Sequence, residues 1–99
     1  MESILCPVDF TQNAIHAVEQ LRLQHNLNAS MHLRIAVQTK GCSEKEFIVG
    51  FDSQLEGDDL FPVHSFHVLI HKSHTLHLFN IQLDYIDTGE NQGFVFKHL

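Results

Sequence analysis

Basic residues are scarce in this sequence. Its 99 residues carry six Lys and Arg against twelve Asp and Glu, a formal net charge of -6 at neutral pH. A nucleic-acid backbone is bound by Lys and Arg concentrated on one face, and these six are scattered, so no nucleic-acid partner is expected. Long apolar runs are also lacking. No stretch approaches the roughly 20 residues a membrane helix requires, which argues against a membrane partner. The opening Met1 to Pro7 has neither a basic n-region nor a long apolar h-region, so it is not read as a secretory signal. Cysteine is used only twice, at Cys6 and Cys42. Two thiols without an export signal suggest a reducing, cytoplasmic setting. They are too few for a closed tetrahedral thiolate site within one chain. Nucleophile-elbow serines, phosphate loops and zinc-protease helices are missing too, and no general acid–base pair stands out, so an enzyme is not expected.

What is present describes an ordered globule. At 43% hydrophobic and 18% charged residues, the chain suits one domain, residues 1–99, around a single core. The stretch from His32 to Phe51 organises the rest. Leu33, Ile35 and Val37 alternate with His32, Arg34, Ala36 and Gln38, the period of a half-buried strand. Phe47, Val49 and Phe51 repeat the pattern beyond a turn at Gly41-Cys42-Ser43 and the charged run Glu44-Lys45-Glu46.

Around that pair the remaining elements are short. Ile4 to Phe10, interrupted by Pro7, is at most an edge strand or lead-in. Asp9 or Thr11 can cap a helix whose apolar face is Ala14, Ile15, Val18 and Leu21, ending near His25 at Asn26-Leu27-Asn28. Asp52 to Asp59 reads as an acidic loop. Asp52, Gln54, Glu56 and Gly57 match the first, third, fifth and sixth places of a calcium loop, but Val63 stands where the bidentate Glu is required, which favours a solvated loop. Leu60 to Ile70 reads as one or two strands bent near His64-Ser65, with Phe66, Val68 and Ile70 on one face. Ser73 is placed to cap a short helix through Phe79. Strands follow at Gln82 to Ile86 and at Gly93 to Lys97, separated by Gly89-Glu90-Asn91. The pattern is α+β and mainly β.

Nine histidines are the compositional oddity. His64, His67, His71, His74 and His77 crowd one region, and His74 with His77, at i and i+3 on the expected short helix, is the pair best spaced for a metal. The spacing matches no established zinc pattern, and hydrogen-bonded or exposed histidines are the simpler reading. Cys6 lies among apolar residues, where a thiol acts as a small hydrophobe. Cys42 differs, because a Gly-Cys-Ser turn can bring backbone N–H groups near sulfur and favour the thiolate. Asp58-Asp59 and Asp84 with Asp87 read as solvated carboxylates.

The order of these motifs resembles a known family. Phe10-Thr11-x-x-Ala14 opens a helix, and Leu33-Arg34-Ile35-x-Val37, Gly41-Cys42-Ser43 and Gly50-Phe51-Asp52 follow. Asp58-Asp59, the His71-Lys72-Ser73-His74 turn, Leu83-Asp84-Tyr85 and Gly93-Phe94-Val95-Phe96 complete the series. Together, over about residues 9–97, they resemble the HesB/IscA-like A-type iron–sulfur cluster carriers. The resemblance implies a compact β-sandwich or pseudo-barrel with an N-terminal helix and one short second helix. It implies association into homo-oligomers, binding of iron or an iron–sulfur cluster, and exchange with assembly or recipient proteins. The family's ligands are three cysteines, one in the Gly-Cys-Ser turn and two in a Cys-Gly-Cys near the C-terminus. Cys42 matches the first. The sequence ends at Phe96-Lys97-His98-Leu99 without the Cys-Gly-Cys, and Glu44 stands where the family usually has a permissive glycine.

Cluster iron normally takes four thiolates, with histidine an occasional substitute. A dimer would offer two Cys42 thiolates, leaving the rest to histidines such as His98, a small thiol or a partner protein. Two roles follow from the resemblance: an A-type carrier-like protein with a reduced ligand set, or a non-metal-binding interaction module derived from that family. A shorter similarity, from Ile4 to Ala14, to the opening of universal stress proteins is not sustained, because neither their length nor their glycine-rich nucleotide loop follows.

Overall fold

The computed structural model describes residues 5–41 and 44–99. Its elements, in chain order, are β1 (Asp9–Phe10), α1 (Gln12–Gln24), β2 (Met31–Lys40), β3 (Glu44–Ser53), β4 (Asp58–Val63), β5 (Phe66–His71), a 3-10 turn (Lys72–His74), α2 (Thr75–Leu78), β6 (Ile81–Asp87) and β7 (Gln92–His98). They form a four-stranded sheet in the order β3-β2-β5-β4 and a three-stranded sheet in the order β1-β6-β7. The mainly β fold with one long and one short helix agrees with the sequence reading.

The alternation along β2 explains its central position. Leu33, Ile35 and Val37 are buried, and each such side chain contributes roughly 1.5–3 kcal/mol when removed from water. β3 pairs antiparallel with β2 over its whole length, from Met31 opposite Ser53 to Lys40 opposite Glu44. β5 lies on the other side, parallel, with Leu33 opposite Val68. β4 returns antiparallel to β5 through a tight turn in which His64 takes a left-handed φ of 52°. Val68, Leu69 and Ile70 are buried consecutively, so the middle of this sheet is covered on both faces. The sheets meet where Phe47 of β3 stacks on Phe96 of β7, with ring centroids 5.2 Å apart. Phe10 of β1 meets Phe66 of β5 edge-on at 5.9 Å.

Helix α1 begins as its sequence suggests. The Thr11 hydroxyl accepts the backbone N–H of Ala14 at 3.1 Å, satisfying one of the free donors of the first turn. Ala14, Ala17 and Val18 form its buried face. Asn26, at φ 50°, lets the chain turn out of the helix. Among the described residues no helix is long and apolar enough to cross a membrane.

Two local expectations are corrected. Ser73 does not cap the second helix through its own hydroxyl; instead the His71 imidazole accepts the Ser73 N–H, and a 3-10 turn leads into the four-residue α2. The acidic stretch 52–59 is not one solvated loop. Asp52 closes into β3, Asp58 and Asp59 open β4, and Asp58 is buried.

Candidate functional site

β2 and β3 pair as a hairpin on either side of the Gly-Cys-Ser motif, of which Gly41 is described. Gly41 takes φ +67°, a conformation that disfavours any residue with a Cβ. Cys42, the thiolate expected from the sequence, lies with Ser43 outside the described residues. The strands leading to it stay paired up to Lys40 and Glu44. Lower on the hairpin, Phe47 contacts the last strand twice, through the Phe96 stack and edge-on to His98 at 6.2 Å. His98, considered as a supplementary donor, is thus held against the side of the hairpin.

An arginine pins the opposite face of that hairpin to β4. Arg34 donates from Nε to Asp52 Oδ2 at 2.9 Å and from Nη1 to Asp58 Oδ1 at 2.9 Å, and its Nη2 meets Asp58 Oδ2. The Asp58 carboxylate also accepts the Leu55 N–H at 2.8 Å. Its side chain is 0% exposed, so this is a buried bidentate ion pair. The Arg34 hydrogen bonds hold the Asp58 carboxyl below its ordinary range, outweighing the burial that opposes ionisation. Sequence reading missed this pair, since a lone Arg on a strand names no partner. The available signal was a cation among the apolar residues of the central strand, which demands a buried or rim carboxylate nearby.

The histidine-rich stretch does not gather into one site. His64 turns to Glu19 at 3.2 Å, and His71 caps the 3-10 turn, with its Nδ1 at 2.7 Å from Ser73 Oγ. His74 lies in that turn rather than on α2, beside His71 at 5.8 Å between ring centroids, while His77 is exposed on α2. The Nδ1 of His74 is buried and without a hydrogen-bond partner among the described residues. Burial first, then the nearby His71, His77 and Arg34 charges, push the His74 pKa down, against a smaller opposing effect of Asp58. His32 is likewise pushed down, by burial and then by His67 and Arg22. Among the described residues no group of three or more His, Cys, Asp or Glu converges as a metal site.

Cys6 cannot supply a thiolate cheaply. It packs against the core, and burial pushes its thiol up to about 11, despite a backbone hydrogen bond from Val8. The small-hydrophobe reading fits this thiol. The described donors therefore do not make up the ligand set of a whole cluster within one chain.

Comparison with known proteins identifies the fold and its kin. No family model matches the chain. The iron-binding protein IscA of Yersinia enterocolitica is 31% identical over 75 residues, covering 75% of this chain and 70% of that protein. ErpA of Cupriavidus taiwanensis, named for iron–sulfur cluster insertion, is 31% identical over 98 residues, covering 98% of this chain and 80% of its own. The crystal structure of an IscA with a [2Fe-2S] cluster superposes with a TM-score of 0.72 at 23% identity, over 92% of this chain and 84% of that one. The expected two-sheet fold with its N-terminal helix is therefore the fold observed, and the chain is a member of the HesB/IscA-like family of A-type iron–sulfur carriers.

Proposed function

We propose that this protein serves iron–sulfur cluster assembly as an A-type carrier, taking up iron or a cluster as cargo and passing it to assembly or recipient proteins. The observation that carries this reading is 31% identity to ErpA across 98 residues. The β2–β3 hairpin supports it, because its strands stay paired up to Lys40 and Glu44, the residues that flank the Gly-Cys-Ser motif in the sequence. Cys42 is the cargo ligand in this reading, and the chain is a single domain acting in the cytoplasm without enzymatic turnover.

One thiolate does not hold a cluster, so cargo is shared. A homo-oligomer that brings two Cys42 sulfurs to one cavity, with the remaining positions filled by a small thiol or a partner protein, meets the coordination need. Anaerobic reconstitution with ferrous iron and sulfide tests this directly. Visible cluster absorbance is expected from the native chain and none from Cys42→Ser. A colourless native protein, with iron no higher than in the variant, overturns it.

The incomplete donor set supports a second reading, an interaction module of the same family without metal. It requires partner binding and oligomerisation indifferent to Cys42→Ser. A third assignment, metal at His74 and His77, is supported only by their proximity, and unchanged metal affinity in a His74→Ala/His77→Ala chain eliminates it.

A further inference from the structure

Two imidazoles stand side by side on the outward face of the four-stranded sheet, away from the hairpin apex. The parallel register that sets Leu33 opposite Val68 puts His32 of β2 beside His67 of β5, one residue back on each strand. Their rings lie 5.7 Å apart between centroids, at an interplanar angle of 72°. His67 is exposed and His32 half-buried, so both are approachable from solvent. Elsewhere the imidazoles of His64 and His71 are occupied by Glu19 and Ser73. Those of His32 and His67 make no hydrogen bond to any described residue.

We propose that His32 and His67 form a two-imidazole binding site for a borderline divalent ion of the Zn2+ or Ni2+ class, completed by water or by a donor from a second molecule. The ring spacing leaves room for a shared ion. With metal–nitrogen distances of about 2.1 Å, two imidazoles on one roughly tetrahedral ion have ring centres about 5–6 Å apart, a spacing that His71 and His74 share at 5.8 Å. What sets His32 and His67 apart is that neither ring is engaged by a described residue, whereas His71 Nδ1 is held by Ser73. Neutral imidazole is also the donor type such ions prefer over carboxylate alone.

The surroundings set the limits of the site. Asp52 lies opposite His32 on β3, and its oxygens accept from Arg34 and from the Ser53 N–H. Arg22, tied through Nη1 to the Met31 carbonyl at 2.6 Å, is the nearby charge that opposes a cation. The site is therefore a weak, exchangeable one, distinct from cargo held at Cys42.

The test uses the full chain carrying Cys42→Ser, so that the thiol does not compete and the carrier reading is not at stake. Zinc chloride is titrated while the histidine ring resonances are followed by NMR and the heat of binding is measured. The His32 and His67 resonances are expected to move first. His32→Gln is expected to weaken zinc binding at least about tenfold, because even outer partners of metal ligands are worth about 10- to 100-fold. His74→Ala/His77→Ala should leave the affinity unchanged. His32 and His67 resonances that stay unmoved at zinc concentrations that shift the other histidines overturn the proposal. So does a His32→Gln/His67→Gln chain that keeps the parent affinity.

Discussion

Asp58 and Asp84 perform the same task in opposite surroundings. Each carboxylate accepts three hydrogen bonds, two of which tie its strand to distant parts of the chain. Asp58, in the four-stranded sheet, holds two guanidinium contacts from Arg34 and the Leu55 N–H. Asp84, in the three-stranded sheet, accepts from Thr11 Oγ1 at 2.7 Å, Tyr85 N at 2.8 Å and Lys97 Nζ at 3.0 Å. The Asp58 side chain is 0% exposed and the Asp84 side chain 16%. Burial removes water as a substitute partner, so without Arg34 the Asp58 carboxylate keeps only the Leu55 N–H, whereas the partly exposed Asp84 has solvent to fall back on. The sheet that supports the hairpin is thus clamped by one indispensable contact. The sheet that carries α1 is held by several replaceable ones.

Breaking Arg34 gives the largest effect. Arg34→Ala leaves the Asp58 carboxylate buried without its counter-charge, and a loss of about 3–5 kcal/mol is expected. Denaturant unfolding of the purified chain measures it. A loss below about 1 kcal/mol would mean that the clamp is only geometric. The pair also sets an acid limit. The Asp58 carboxyl is held low when folded, so on acidification the unfolded chain takes up its proton first. The stabilisation is present above the ordinary carboxylate range and is lost as pH falls through the folded value. In Arg34→Ala this part of the acid dependence should flatten.

The Thr11 cap comes next. Its hydroxyl accepts from the Ala14 N–H and donates to Asp84, so it couples α1 to β6. Thr11→Ala is expected to cost about 1 kcal/mol, several-fold less than Arg34→Ala, with hydrogen exchange in the first turn of α1 accelerating before that in β2. Equal acceleration in both sheets would erase the contrast between them.

How much of this could be read in advance follows from what alternation encodes. Leu33, Ile35 and Val37 announce a strand with one buried face, and the repeat at Phe47, Val49 and Phe51 announces its partner, so the hairpin is legible from spacing alone. The helix is legible because Thr11, Ala14 and Val18 supply cap and face within eight residues. Asp58 was not legible. Its partner is 24 positions away, and an acidic neighbourhood looks solvated until a guanidinium is placed over it. The 3-10 turn is hidden in the sequence for a related reason: Ser73 has the capping chemistry, but the tight turn after β5 brings the His71 ring to the free N–H first. The His32–His67 pair depends on the β2–β5 register, and a parallel pairing between strands far apart in sequence leaves no local mark.

Lys97 makes the finest distinction between the two aspartates. Its ammonium lies 3.0 Å from Asp84 Oδ2, yet its own side chain is 51% exposed, so solvent screens the pair and replaces it easily. Lys97→Met is therefore expected to move the thermal unfolding midpoint by no more than about 4 °C. The Asp84 titration should respond more visibly. Hydrogen bonds from Thr11 first, then Lys97 and the Tyr85 N–H, bring its pKa from 3.8 to about 2. A folded value below the unfolded one means that this contribution is complete above about pH 4 and disappears as pH falls toward 2. In Lys97→Met, carboxylate NMR should find Asp84 titrating higher, part of the way back to 3.8, while the Asp58 titration stays where it was. A shift of both together would show that the two sheets share one electrostatic network. A shift of Asp84 alone confirms that each carboxylate answers only to its own partners.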